Sequence, residues 1–399
     1  MRIHIVAPAL PPALDGIGDH SARLAAGLAA AAEVTLIAPV GPAFDPVTGV
    51  QVLPAFSPER RRSTWGIFDR AVADRPDWLV LQYNPFCYGR WGLNLSLPRV
   101  VQQVKRRLPG TRFALFAHEQ FVPVHDWKHA VMTTWQRWQF RQLGRAAEVI
   151  LSSIDLWAVG NRKRFPGTPV VHMPVGSNVP RVNITRDEAR ARLGLTDADA
   201  VLGVFGRTHN SRLMDPLTHA IAAARAAGHR PVLLYIGPDV DAFAATAAAG
   251  TRVIADGPAD ADEVSRRLSG VDVFLSPFED GVSTRRGSFL AALQHGLAVA
   301  GTRGAYTDPV FRDTDGTATL LADADDPHCL DANVVRLLGD AELRRRVGAA
   351  GAELSEREFA WPVLIRRFTD ALAGREPLPV GAAPGTSCGI SSRFSTRPV

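Results

Sequence analysis

The sequence predicts an α/β protein built as two doubly wound parallel-sheet domains that face each other across a cleft. Short runs rich in Val, Ile, Leu and Phe alternate with amphipathic helical stretches, as expected of parallel strands buried on both faces and joined by crossover helices. The alternation stops at Met173-Pro-Val-Gly-Ser-Asn-Val-Pro180, with two prolines and a glycine, and then restarts. The 399 residues suit two domains, at ~150 residues or more apiece.

In the first domain, strands are expected at residues 3–7, 34–38, 78–82, 113–117 and 149–152, and helices at 20–32, 98–108 and 130–146. Thr185 caps the next helix, with Asp187-Glu188-Ala189-Arg190 in its first turn. Second-domain strands fall at 201–205, 231–236, 253–255, 271–275, 298–301 and 319–321. Its helices fall at 216–227, 261–268, 288–295, 330–338 and 341–356, and a last amphipathic helix covers 362–373. The expected organisation is 1–180, 181–361, a C-terminal helix within 362–375 that packs back toward the first domain, and a tail at 376–399. That tail is rich in Pro, Gly and Ser and reads as disordered.

Apolar residues make up 46% of the chain and charged residues 21%, ordinary for a packed globular protein. Lys and Arg number 45 against 40 Asp and Glu, a net charge of +5 that permits anionic partners without demanding a nucleic acid. Most of the bases are Arg, whose planar fork suits phosphate. Cys87, Cys329 and Cys388 are too few for a disulfide framework and lack zinc spacing, so a reducing, cytoplasmic compartment is expected. No apolar run reaches the ~20 residues that span a bilayer. The opening MRIHIVAPALPP is apolar for too short a span to be a signal region.

Ligands of open α/β sheets sit beyond the carboxyl ends of the strands, so residues just after each strand are the candidates. Gly16-Ile17-Gly18-Asp19 leads into a helix whose free N–H groups can face an anion; the alternative is a plain turn capped by Asp19. The loop is not G-x-G-x-x-G, which disfavours a nicotinamide cofactor. Tyr83-Asn84-Pro85 follows the third strand. His118-Glu119-Gln120 follows the fourth, an imidazole and a carboxylate able to bond a sugar hydroxyl or a leaving phosphate. Residues 125–145 carry Trp127, Trp135 and Trp138 among bases. They read as a core-facing helix with a solvated basic face, with nucleic-acid or membrane binding as the alternative.

In the second half, Arg207 and Arg212 stand on a loop that begins at Gly206, a pattern suited to a diphosphate. Gly237 and Asp256 follow the next two strands, where ordinary turns serve equally well. The richest stretch runs from Phe278 to Ser288 and holds Glu279, Asp280, Ser283, Arg285 and Arg286. A phosphate can sit on the following helix N-terminus with Arg286 and Ser288.

These segments resemble the GT-B glycosyltransferases, most closely retaining glycosyltransferase family 4. The matching motifs are Gly16-Ile17-Gly18-Asp19, Gly206-Arg207 with a base at Arg212, and Leu234-Tyr235-Ile236-Gly237. They continue with Asp272-Val273-Phe274-Leu275-Ser276-Pro277 followed by Leu290–Val299, and with Phe359-Ala360-Trp361 before the closing helix. In order and spacing they span most of residues 1–375.

The resemblance implies two Rossmann-like domains, the first for an acceptor and the second for a nucleoside diphosphate sugar. It implies hexosyl transfer to an acceptor hydroxyl, with retention and without a metal, the leaving phosphate taking the acceptor's proton. His118, Asp19 and Glu119 would be catalytic. Gly16, Gly18, Arg207, Arg212, Gly237, Asp256, Glu279, Ser283, Arg286 and Ser288 would bind donor, and Tyr83 and Asn84 acceptor. No cofactor beyond the donor is implied. The acceptor is a saccharide, a lipid-linked molecule or a small molecule, not a nucleic acid, reached in the cytoplasm or at the inner membrane surface by peripheral contact. One departure stands out: the two glutamates of the family's donor loop fall on Ser283 and Ala291. A sugar-nucleotide epimerase of the same fold and a non-catalytic sugar-nucleotide-binding subunit are the alternative readings.

Overall fold

The computed structural model of the chain describes residues 1–381 apart from 42, 59, 125, 209, 210 and 247–249. The first half runs β1 (Arg2–Val6), α1 (Gly16–Leu28), β2 (Glu33–Pro39), β3 (Gln51–Phe56), α2 (Trp65–Asp74), β4 (Trp78–Tyr83) and α3 (Ser96–Arg107). It continues with β5 (Arg112–Ala117), α4 (Trp127–Ala146), β6 (Val149–Ser152), α5 (Asp155–Arg164) and β7 (Val170–His172). All seven strands pair in parallel, in the order β3-β2-β1-β4-β5-β6-β7. Every residue of β4 is buried, which is why its run of apolar residues does not alternate.

The second half runs α6 (Arg186–Arg192), β8 (Asp199–Phe205), α7 (Asp215–Ala226), β9 (Arg230–Ile236), α8 (Val240–Thr246), β10 (Arg252–Ile254) and α9 (Ala261–Leu268). Then come β11 (Val273–Ser276), α10 (Gly287–Gln294), β12 (Ala298–Arg303), α11 (Pro309–Asp313), β13 (Leu320–Asp323), α12 (Asp331–Gly339), α13 (Ala341–Glu358) and α14 (Trp361–Leu372). Its sheet is also parallel, ordered β10-β9-β8-β11-β12-β13. Each sheet has an apolar core on both faces. Helix α14 crosses back to the first sheet, where Leu364, Phe368 and Leu372 pack with Leu24 and Leu28 of α1.

In each sheet the strand order reverses once, between β1 and β4 and between β8 and β11. Such reversals open a crevice at the strands' carboxyl ends. In the second sheet this brings the loop after β8 against the loop after β11, and Arg212 and Phe278 pair across them as an isolated antiparallel bridge.

Several elements lie outside the sequence expectation. β3 holds Pro54 and is only half-buried, tolerable because it is an edge strand. β7, α8 and α11 are too short for periodicity to register, and α2 and α5 are the other helices not anticipated. Helix α1 begins at Gly16 rather than residue 20, and its cap is Asp15, whose side chain accepts from Gly18 N–H at 2.7 Å. Asp19 is thus a first-turn residue, not the cap. Thr185 does cap α6, in a reciprocal capping box with Glu188. Cys87 and Cys329 are free thiols. Cys388 and most of the expected tail, residues 382–399, lie outside the described residues.

Candidate active site

The β8–β11 crevice gathers arginines. Arg212 is buried, and its Nη2 donates to Phe205 O at 3.0 Å. Arg286 donates through Nη2 to Asp280 Oδ1 at 2.6 Å and to Ser211 Oγ at 2.7 Å. Arg285 bonds the other Asp280 oxygen at 2.5 Å. The Nε–H groups of Arg212, Arg285 and Arg286 are all buried without a partner. Burial and the neighbouring Arg286 pull Arg212 down to about 10; burial and Arg285 do the same to Arg286. Gly206 has φ +98°, a region that favours glycine, and a Cβ there would lie 3.5 Å from Ser288 Cβ and 3.9 Å from Arg212 Nη2. The glycine turn, the arginines and the start of α10 therefore converge. The exposed Arg207 lies beside this turn and helps hold the Asp239 carboxylate below its usual range, after the larger effect of the Thr208 N–H.

The first domain brings His118 to the opposite side. Its ring stacks on Phe116 at 4.4 Å and meets His20 edge-on at 5.0 Å. Nε2 lies 2.6 Å from Gln82 Oε1, so with that partner Nε2 carries the proton and Nδ1 is an acceptor. Burial, then His20, holds His118 well below the usual histidine value, so it is neutral. Glu119 reaches across the cleft to Arg285 at 3.5 Å, and Arg285 lies 5.2 Å over the rings of both Trp157 and Tyr306. Asp19, on the first turn of α1, is pushed up to about 6 by burial and by Asp15, against Arg23. Gly16 offers its carbonyl to Asn178 Nδ2 at 3.0 Å.

A polar seam joins the domains beside this cleft. Thr284 Oγ1 donates to Ser153 O at 2.7 Å, and His172 Nε2 lies 2.8 Å from Thr284 Oγ1. Asp308 accepts from Thr284 N–H at 2.6 Å and from Asp155 N–H at 2.7 Å. Burial pushes Asp308 up to about 6 and His172 down to about 3. The loop after β11 is thus pinned to the ends of β6 and β7. Sequence reasoning missed this seam, as well as Gln82 and His20, because each acts through a partner distant in the chain; Asp280 was noticed in its loop, but its pairing with both Arg285 and Arg286 was not.

Other expected site residues have structural positions instead. Tyr83 is fully buried and accepts from Gln139 Nε2 at 3.1 Å, so it cannot meet an acceptor. Asn84 caps the short turn after β4 by accepting from Phe86 N–H at 3.0 Å. Asp256 pairs with Arg267 at 3.2 Å in a surface groove lined by Arg192, Glu263 and Arg266, apart from the arginine cluster. Glu279 is exposed and enters only through its N–H, which donates to Ser211 O at 2.8 Å. Gly18 and Gly237 are tight packing points. A Cβ would lie 2.8 Å from Ala9 O at the first and 2.3 Å from the Tyr235 hydroxyl at the second. Ser283 and Ala291 are both fully buried, Ala291 in the apolar core.

No protein-family model matches the chain. Sucrose-phosphate synthase from Thermosynechococcus elongatus superposes with TM-score 0.74 at 15% identity, covering 94% of this chain and 98% of that one. Anabaena HepE, solved with UDP and glucose, gives TM-score 0.67 at 12% identity over 94% and 100%. The chain has the GT-B fold. In sequence, this GT-B chain is 25% identical over 256 residues to a Corynebacterium glutamicum protein. That relative is the GDP-mannose-dependent monoacylated alpha-(1-6)-phosphatidylinositol monomannoside mannosyltransferase. The match spans 59% of this chain and 65% of that enzyme's length, less than two thirds of it. Among the described residues of the GT-B chain, no helix is long and apolar enough to cross a membrane. Among the same residues, no group of three His, Cys, Asp or Glu side chains is arranged to hold a metal.

Proposed function

We propose that this GT-B chain transfers a hexosyl group from a nucleoside diphosphate sugar to an acceptor hydroxyl, with retention and without a metal. The observation that carries this reading is the trio of buried, partnerless Nε–H donors on Arg212, Arg285 and Arg286 beside the start of α10. Buried donors of this kind call for an acceptor, and a diphosphate supplies several anionic oxygens. As the bond from C1 to the phosphate oxygen breaks, charge grows on the leaving diphosphate, and preorganised guanidiniums and helix N–H groups stabilise it. The acceptor oxygen bonds C1 on the same face, and its proton passes to the departing phosphate oxygen. Neutral His118 offers Nδ1 as an acceptor to a hydroxyl of the transferring sugar. The GDP-mannose-dependent relative and the HepE structure with UDP and glucose support a nucleoside diphosphate hexose as donor.

A thermal-shift screen with UDP-, GDP-, ADP- and dTDP-sugars tests the reading. A true donor at 100 times its Kd adds about 2.7 kcal/mol of stability. Arg286→Gln should reduce the shift only modestly while cutting turnover sharply, and the product's anomeric coupling should match the donor's. A donor that is epimerised without an acceptor, or no shift with any sugar nucleotide, would sink the proposal.

A further inference from the structure

Helix α4 buries polar side chains and exposes aromatic ones. Its inner face carries Gln136 and Gln139, both fully buried. Gln136 accepts from Val122 N–H at 2.9 Å and donates to Trp91 O at 3.2 Å. Gln139 accepts from Asn94 N–H at 2.8 Å and donates to the Tyr83 hydroxyl at 3.1 Å. The outer face carries Trp127, Val131, Trp135 and Trp138 at helical spacing. Trp127 is 73% exposed, Val131 50% and Trp138 43%. This reverses the expected core-facing placement of these tryptophans. Beside them Trp91 stands 60% exposed with φ +57°, a strained conformation for a bulky residue. Trp135 Nε1 donates to its carbonyl at 3.0 Å. Scattered exposed apolar residues need no explanation, but a contiguous stripe held by buried hydrogen bonds and backbone strain does.

The charge here is one-sided. Helix α4 itself carries Lys128, Arg137, Arg141 and Arg145 and no carboxylate, and the nearest acids along the chain are Glu119, Asp126 and Glu148; Glu148 is engaged with Lys105. Glu119 is engaged with Arg285, and Asp126 caps α4 through His129 N–H at 2.8 Å. The Arg90 guanidinium lies 4.9 Å over the Trp91 ring, and Lys128 Nζ lies 5.8 Å from the Trp127 ring. Among the described residues, Arg90, Lys128, Arg137 and Arg141 form no carboxylate pair.

We infer that this face docks on an anionic lipid bilayer, with Trp91, Trp127, Val131 and Trp138 at the headgroup–acyl boundary and the neighbouring bases against lipid phosphates. Indole rings favour that boundary, and bases accumulate at an anionic leaflet. A convex helix face mixing valine with tryptophan fits a fluid plane better than single-stranded nucleic acid, which stacks its bases inside a groove. The docked face lies on the element that follows His118 and Glu119, so it would set the first-domain wall of the cleft beside the bilayer. Docking needs no donor and stands apart from the sugar-transfer reading.

The test is cosedimentation of the full chain with vesicles of phosphatidylcholine alone and of phosphatidylcholine mixed with phosphatidylglycerol. Expected are binding to the mixed vesicles only, loss at high salt, and quenching of tryptophan fluorescence by brominated lipid. Trp127→Ser with Trp138→Ser should bind roughly tenfold more weakly and lose quenching. Lys128→Glu with Arg141→Glu should weaken binding by a similar factor, roughly tenfold. These side chains are exposed, so melting temperatures should not change, and the charge pair decides the matter should the tryptophan pair fail to fold. No binding to anionic vesicles, or equal binding by both variants, overturns the inference. So does tighter binding to an oligonucleotide, or self-association that the tryptophan changes abolish.

Discussion

Arg212 and Arg286 direct their guanidiniums at one ring. Their Cζ atoms lie 4.9 and 4.0 Å from the centroid of Phe278. Among the described residues only Arg286 has a carboxylate partner, Asp280. Asp280 is shared between Arg285 and Arg286 and leaves the buried Arg212 unbalanced, an excess of positive charge that the proposed diphosphate would offset.

Removing either guanidinium should act mainly on turnover. Arg212→Ala and Arg286→Ala are each expected to lower kcat by roughly 10²- to 10³-fold, the loss typical of one transition-state donor. Arg207→Ala, an exposed charge, should cost far less. Steady-state kinetics with the donor found by thermal shift separate the three, and a larger loss at Arg207 would move the diphosphate outward.

Acid should destabilise the fold through its buried histidines. Burial holds His20 and His172 down to about 3 and His118 well below its usual value. Their native states bind fewer protons than the unfolded chain. Their stabilisation is therefore full above the unfolded value of about 6.5 and lost as pH falls below it. His20, whose Nδ1 is buried without a partner, is the cleanest probe. His20→Phe should make the urea midpoint less sensitive to pH between neutral and about 5.

Asp308 acts in the opposite sense. Its carboxyl is raised from 3.8 to about 6, so the native state binds the extra proton and stability falls as pH rises through that window. Asp308→Asn mimics the protonated form. It should gain on the parent by up to about 3 kcal/mol between acid and neutral pH. A constant difference between the two urea curves across this range would show that the carboxyl ionises normally.

Thr284 ties the loop after β11 to the first domain. Thr284→Val removes the hydroxyl that bonds Ser153 O and lies 2.9 Å from Asp308 Oδ2, and should cost about 1–3 kcal/mol by denaturant unfolding. Thr284→Ser should restore most of it. The Val variant should also raise the donor KM, because the same loop carries Arg285 and Arg286.

Gln139 supports the loop that presents Trp91. Gln139→Leu leaves the buried Asn94 N–H and Tyr83 hydroxyl without this partner. A loss of roughly 1–3 kcal/mol is expected in urea, with weaker vesicle binding through the disordered Trp91 loop.

Much of the arrangement was legible in local patterns. The long buried strands announce themselves by runs such as Trp78–Tyr83, and the loops that bring Gly206, Arg212, Arg286 and Ser288 together by their places after strands, because strand ends and glycine turns are local features. The short elements were illegible, since three to seven residues hold too little periodicity. Tyr83 and Asn84 misled because their place after a strand is shared by functional and structural residues alike. The tryptophans of α4 misled because helical spacing marks a stripe without saying which side of it is inside.

By itself, the sequence determined two parallel α/β sheets, the loops at their strand ends, and an excess of arginine in the second domain's loops. Periodicity and turn chemistry are set by neighbours along the chain. Only the tertiary structure decided which groups meet. Glu119 finds Arg285 across the cleft, Thr284 bonds Ser153 carbonyl 131 residues away, and Asp280 binds both Arg285 and Arg286. It also decided that α4 turns its glutamines inward. Those outcomes depend on which segments the two sheets bring together, and on the need to satisfy every buried donor and acceptor once they are there.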